Sequence, residues 1–71
     1  MEQYKNYLVS GDAKPVHPYS PDWHSQGTVL KRGWGSSVIE VIRLNGGTVS
    51  TKEEAIARGL ELAKAWVDER S

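Results

Sequence analysis

From position 51 to position 69 the residues repeat with a helical period, and this stretch constrains the fold more than any other. Thr51-Lys52-Glu53-Glu54 reads as a capping box, with the Thr51 hydroxyl accepting from an orphan N–H of the first turn. Ser50 with Glu53 offers the same pattern one residue earlier, so the start is open by one position. At about 100° per residue, Ala55, Ile56, Gly59, Leu60, Leu62, Ala63, Trp66 and Val67 share one arc of ~160°. Acidic and basic residues fill the opposite arc, and Glu54 precedes Arg58 by four, the favourable order for an ion pair. The spacing predicts an amphipathic helix over about 52–69. Gly59 lies near the centre of its apolar arc, where glycine costs roughly 1 kcal/mol relative to alanine. A close approach of the helix backbone to the layer it covers is the expected offset.

Upstream the period changes. Residues 37–44 are rich in β-branched side chains and end at Asn45-Gly46-Gly47, which has turn chemistry. A second strand is expected over 23–32, joined to the first by a turn at Lys31-Arg32-Gly33-Trp34-Gly35, and a third over 4–10. Thr48-Val49 offers a short extension before the helix. Pro15, Pro18 and Pro21 mark 11–22 as a loop. The expected fold is a single α+β domain over 1–71. Its three-stranded antiparallel meander is followed by one C-terminal amphipathic helix, β-β-β-α in two layers.

One helix covers one face of a sheet. Val38, Ile42 and Leu44 alternate with Ile39 and Val41, so apolar residues are expected on both faces. A patch of Ile39 and Val41 with Leu30 or Val29 beside them on the uncovered face is the expected protein-interaction surface. The competing expectation is that the proline-rich loop and Trp23 cover it within the monomer.

The remaining sequence narrows the function classes. With 71 residues a single core supplies ~3–5 kcal/mol unless something staples it. The chain has no cysteine, so disulfides and cysteine zinc sites are excluded, and self-association becomes the remaining staple. Nine Lys+Arg balance nine Asp+Glu, which leaves no overall electrostatic grip on nucleic acid or acidic lipid. Apolar runs are too short for a membrane span or a signal-peptide core, and a cytoplasmic location is the expectation.

The Thr51-x-Glu53-Glu54-Ala55 start, then Gly59, Ala63 and Trp66-Val67-Asp68, resembles the ending of small uncharacterised bacterial proteins, some prophage-encoded. Their aromatic first strand is matched by Tyr4-Lys5-Asn6-Tyr7. The resemblance implies an α+β fold and a bacterial or phage setting, and no activity. A looser resemblance runs to HicB-type antitoxins, whose partial double-stranded-RNA-binding-like fold also places three strands before a Thr-x-Glu-Glu-Ala helix. That family's Pro-Asp-Leu-Pro-Gly-Cys segment has no counterpart here, where Leu44-Asn45-Gly46-Gly47-Thr48 stands instead.

Chemistry-bearing residues are sparse. Asp22, His24 and Ser25, with Ser20 close by, crowd in sequence, but a nucleophile needs a base oriented in three dimensions. His17 and His24, with Asp12 or Asp22, lack metal-ligand spacing. Gly33-x-Gly35 and Gly46-Gly47 do not continue into a phosphate-binding pattern. No catalytic residue, no metal site, no cofactor and no small-molecule substrate is expected. Lys31, Arg32 and Trp34 at the hairpin tip, with Arg43 on the next strand, form the candidate nucleic-acid contact. The reading is a small non-enzymatic bacterial or phage domain of unknown role whose expected activity is association with a protein partner or a second copy; the alternative is a nucleic-acid-contacting accessory or antitoxin-like domain.

Overall fold

The computed structural model describes residues 1–35 and 37–70 and shows an α+β chain with an antiparallel sheet and one C-terminal helix. The strands are β1 (Glu2–Tyr4), β2 (Tyr7–Pro15), β3 (Trp23–Arg32) and β4 (Val38–Val49), and the helix is α1 (Lys52–Arg70). The sheet is a meander in the order β1-β2-β3-β4. It therefore has four strands where the sequence predicts three.

Two changes to the strand pattern account for the difference. The expected strand over 4–10 is broken by a two-residue turn, because Tyr4 pairs with Tyr7 and Lys5 takes φ 55°. A non-glycine residue there costs about 1–2 kcal/mol. The Lys5 ammonium is held 2.7 Å from the Asp68 carboxylate of α1, which ties the turn to the helix. The expected loop over 11–22 is in its first part a strand, since β2 continues to Pro15 in unbroken register with β3.

Glycines set the distance between helix and sheet. Gly11 and Gly27 are register partners on β2 and β3; Gly59 lies over Gly27, and the backbone of Ile56 and Leu60 lies over Gly11. A side chain on Gly11 would meet the Ile56 carbonyl oxygen and the Leu60 nitrogen, the latter at 2.8 Å. One on Gly27 would meet the Gly59 carbonyl oxygen, and one on Gly59 the Gln26 carbonyl. The close approach expected of Gly59 is thus met by a matching pair of glycines in the sheet. It also lets the buried Ser25 hydroxyl donate to the Ala55 carbonyl at 2.6 Å.

The core is thin. The completely buried hydrophobic residues are Val9, Val29, Ala55, Ala63 and Val67. Tyr4, Tyr7, Ile42, Leu60 and Trp66 pack around them while staying partly exposed. At the helix start the Thr51 hydroxyl accepts from the Glu54 N–H at 3.1 Å, which settles the start at Thr51 rather than Ser50.

Two irregularities in β4 decide which residues face where. Val29 pairs with Ile42 but Leu30 pairs with Glu40, so Val41 is an extra residue, a β-bulge. The second lies where Gly46-Gly47 was expected to end the strand. Gly47 takes φ 79°, its N–H donates to the Asn45 side chain at 2.9 Å, and β4 runs on to Val49.

Candidate functional site

A bulge shifts the alternation of side chains by one. On one side of it Ile42 and Leu44, opposite Val29 and Gly27, face α1. On the other side Val38 and Glu40, opposite Arg32 and Leu30, lie on the uncovered face, and Ile39, opposite Lys31, lies on the helix side. The expected alternation is therefore corrected. Val38 does not share a face with Ile42 and Leu44, and Ile39 does not share one with Leu30. Of the three expected interaction residues, the structure brings Leu30 and Val41 to the uncovered face and places Ile39 on the other.

The uncovered face is mostly polar, which also departs from the sequence reading. Ser10 and Thr28 are neighbours across strands, as are Asp12 and Gln26, and Lys14 and His24. Such rows need no apolar cover, and Thr28 among them is already buried. Apolar side chains gather only at one corner, where Leu8 pairs with Leu30 and Val38 and Val41 follow on β4. Trp23 does not cover this corner: it is paired with Val49, and the Lys52 ammonium of α1 lies 5.9 Å from its ring centre.

The corner continues into the tip of the β3–β4 hairpin. A 19-residue helix is about 28 Å long, whereas the longest dimension of the molecule is 42 Å, so one end of the sheet has no helix over it. Trp34, Val38, Ile39 and Val41 are exposed by 97%, 45%, 48% and 37%, and they account for half of the large hydrophobic residues that stand in water among the described residues. The turn that carries Trp34 is built rather than loose. The Gly33 N–H donates to the Ser37 carbonyl at 3.0 Å, and the Ser37 hydroxyl donates to the Trp34 carbonyl at 2.7 Å. Gly33 leaves room for Ile39, whose Cδ1 would lie 2.7 Å from any side chain there. Val38 is the residue that sequence reasoning left out. Its signal was the Val38-Ile39 pair itself, since two adjacent β-branched residues on a one-helix sheet cannot both be covered.

Lys31, Arg32, Gly33, Trp34 and Ile39 line one shallow hollow beside the tip. Arg43 does not join them. Its guanidinium donates to the Glu40 carboxylate at 2.7 Å, and that bond raises the arginine's pKa. The expected nucleic-acid set thus divides into three residues at the tip and one engaged on the uncovered face.

The residues weighed for catalysis are separated by the strand pleat. His24 is exposed on the uncovered face, while Ser25 is buried and bonded to α1. The Asp22 N–H is bonded to the Ser20 hydroxyl, and the His17 ring accepts from the Tyr19 N–H at 3.2 Å. Among the described residues no three histidine, cysteine or acidic side chains gather as metal ligands. No helix among them is long and apolar enough to cross a membrane.

The most connected charged group is at the end of α1. The Asp68 carboxylate accepts from the Tyr4 hydroxyl at 2.9 Å and pairs with Lys5. Lys64 pairs with Glu2 at 2.8 Å, so both ends of β1 are tied to the helix. Bonds from Lys5 and Tyr4 lower the Asp68 pKa from the ordinary 3.8, and the bond to Asp68 raises those of Tyr4 and Lys5. A lowered carboxylate value contributes stability that is complete above 3.8 and is lost as pH falls through the folded value. The raised values of Tyr4 and Lys5 contribute stability that is lost at the alkaline end. Asp68→Asn is therefore expected to flatten the acid limb of a urea-midpoint profile and to lower the midpoint slightly at neutral pH. An unchanged acid limb contradicts the role of Asp68.

Comparison with protein-family models, with curated proteins and with solved structures finds no match for the chain.

Proposed function

We propose that this chain is a non-enzymatic protein-association domain whose docking element is the outer half of the β3–β4 hairpin. The observation that carries the reading is the concentration of exposed apolar side chains at Trp34, Val38, Ile39 and Val41, beyond the reach of α1. Tryptophan and neighbouring aliphatic groups are the residues whose burial contributes most at protein interfaces. The thin core gives the domain a thermodynamic use for a partner, because binding to the folded state alone stabilises it. The simplest partner is a second copy.

Sedimentation across a concentration series, from low micromolar to near millimolar, tests this. Association is expected to appear within that range. Ile39→Lys with Val41→Lys is expected to abolish it at unchanged circular dichroism, whereas Tyr19→Ser, at the exposed β2–β3 loop, leaves it intact. A strict monomer throughout, with no effect of the lysine pair on the binding of any other protein, contradicts the proposal.

A second reading is favoured by the hollow that collects Lys31, Arg32 and Trp34, two cations beside an indole. An indole can stack on a base while the cations hold phosphate. On this reading mixed single-stranded RNA or DNA binds at low salt, weakens steeply as salt rises, and loses its grip in Trp34→Ala. Absence of binding at low salt removes it.

A further inference from the structure

We propose that the outer edge of β4 pairs with β4 of a second copy. Residues Val38 to Arg43 would run antiparallel about a two-fold axis and join the two four-stranded sheets into one. This deepens the association reading above and rests on it.

Three observations carry the inference. First, β4 is the last strand of the sheet, so its outer edge has no strand beside it. Its exposed apolar groups lie on both faces: Val38 and Val41 on the uncovered face and Ile39 on the helix side. A flat partner on one face could cover only one of these sets. A strand added in the plane of the sheet flanks both.

Second, the bulge selects a register. In a two-fold pairing every residue must meet one from its own face of the sheet. One register satisfies this from Val38 to Arg43: Val38 opposite Arg43, Ile39 opposite Ile42 and Glu40 opposite Val41 of the second copy, with the converse pairs. A shift by one or two residues either way sets a helix-side residue against one from the uncovered face. The selected register stacks isoleucine on isoleucine twice on the helix side. It places each Glu40 diagonal to Arg43 of the second copy, so the arginines neutralise the two glutamates that meet near the axis.

Third, the assembly closes. The other edge of the sheet is β1, three residues long and carrying Glu2, continued by residues 10–15 of β2, which carry Asp12 and Lys14 and end at Pro15. Charges and a proline on an edge oppose strand addition, so a closed dimer rather than a fibre is expected.

The chain has no cysteine, which makes disulfide trapping clean. A mixture of Glu40→Cys chains and Val41→Cys chains, oxidised at a concentration where association is seen, is expected to give a linked heterodimer as the main product. Directly opposed side chains start about 4.5–5.5 Å apart, close enough for a disulfide after small adjustment. Glu40→Cys mixed with Thr48→Cys is expected not to link, and adding Ile39→Lys to the first mixture is expected to prevent linkage. If the chain associates but linkage appears instead between Leu30→Cys chains, the edge pairing is overturned while association stands. If no mixture links and the chain sediments as a monomer, self-pairing falls and the association reading loses its simplest partner.

Discussion

Gly27→Ala is expected to remove a large part of the stability of the chain. The added methyl would meet the Gly59 carbonyl oxygen, with the Gly59 carbonyl carbon at 3.0 Å and the Ala63 nitrogen at 3.3 Å. These are backbone atoms of a helix, so no side chain can swing aside, and α1 must lift from the sheet. Overpacking of a tight contact costs about 1–3 kcal/mol, and more where the backbone must move. A chain of this size has about 3–5 kcal/mol in total. Gly59→Ala sharpens the test, because on propensity alone it should stabilise the helix by about 1 kcal/mol. The Gln26 carbonyl carbon, 2.7 Å from the new methyl, is expected to reverse that sign, and Gly59→Leu to be worse. Urea midpoints followed by circular dichroism read all three. A neutral or stabilised Gly59→Ala contradicts the close approach.

The second large effect is expected at Trp66. Its ring meets Tyr7 edge to face at 5.8 Å between centres, and the Arg70 guanidinium stacks 3.8 Å from its centre. It packs against the buried cluster of Val9, Val29, Ala63 and Val67. A fully buried tryptophan costs about 3–5 kcal/mol when cut to alanine, and Trp66 is half-buried, so about 2–3 kcal/mol is expected. For a domain this small that corresponds to a fall in Tm of roughly 10–20 °C. Trp66→Phe keeps the edge contact and is expected to lose less than half as much. A fall of only a few degrees for Trp66→Ala would show that the valines are held without it.

How far the sequence could be read follows from which forces act locally. The helix was legible because its period and its Thr51 cap are properties of neighbouring residues, and the structure extends it by one residue to Arg70. The turn at Lys5 was not, because neither Lys5 nor Asn6 is a glycine and the group that holds the turn, Asp68, comes from the far end of the chain. The loop expected over 11–22 takes in Gly11, and Gly46-Gly47 read as a turn. Gly11 is in a strand because the helix backbone needs the space, and Gly47 supplies the left-handed residue of a bulge. The bulge at Val41 has no local signature at all. It separated Ile39 from Leu30 and, with that, changed the candidate site from a sheet face to a hairpin edge. The tip residues Lys31, Arg32 and Trp34 were legible as a cluster, since a short turn keeps near neighbours together.

Amide hydrogen exchange of β4, measured at two protein concentrations on either side of the association midpoint, reaches the central claim most directly. Amides between Val38 and Arg43 are expected to slow at the higher concentration, while those of Ser10, Asp12 and Gln26 on the polar part of the uncovered face keep their rates. Equal rates at both concentrations along β4, or slowing confined to the uncovered face of β2 and β3, would contradict it.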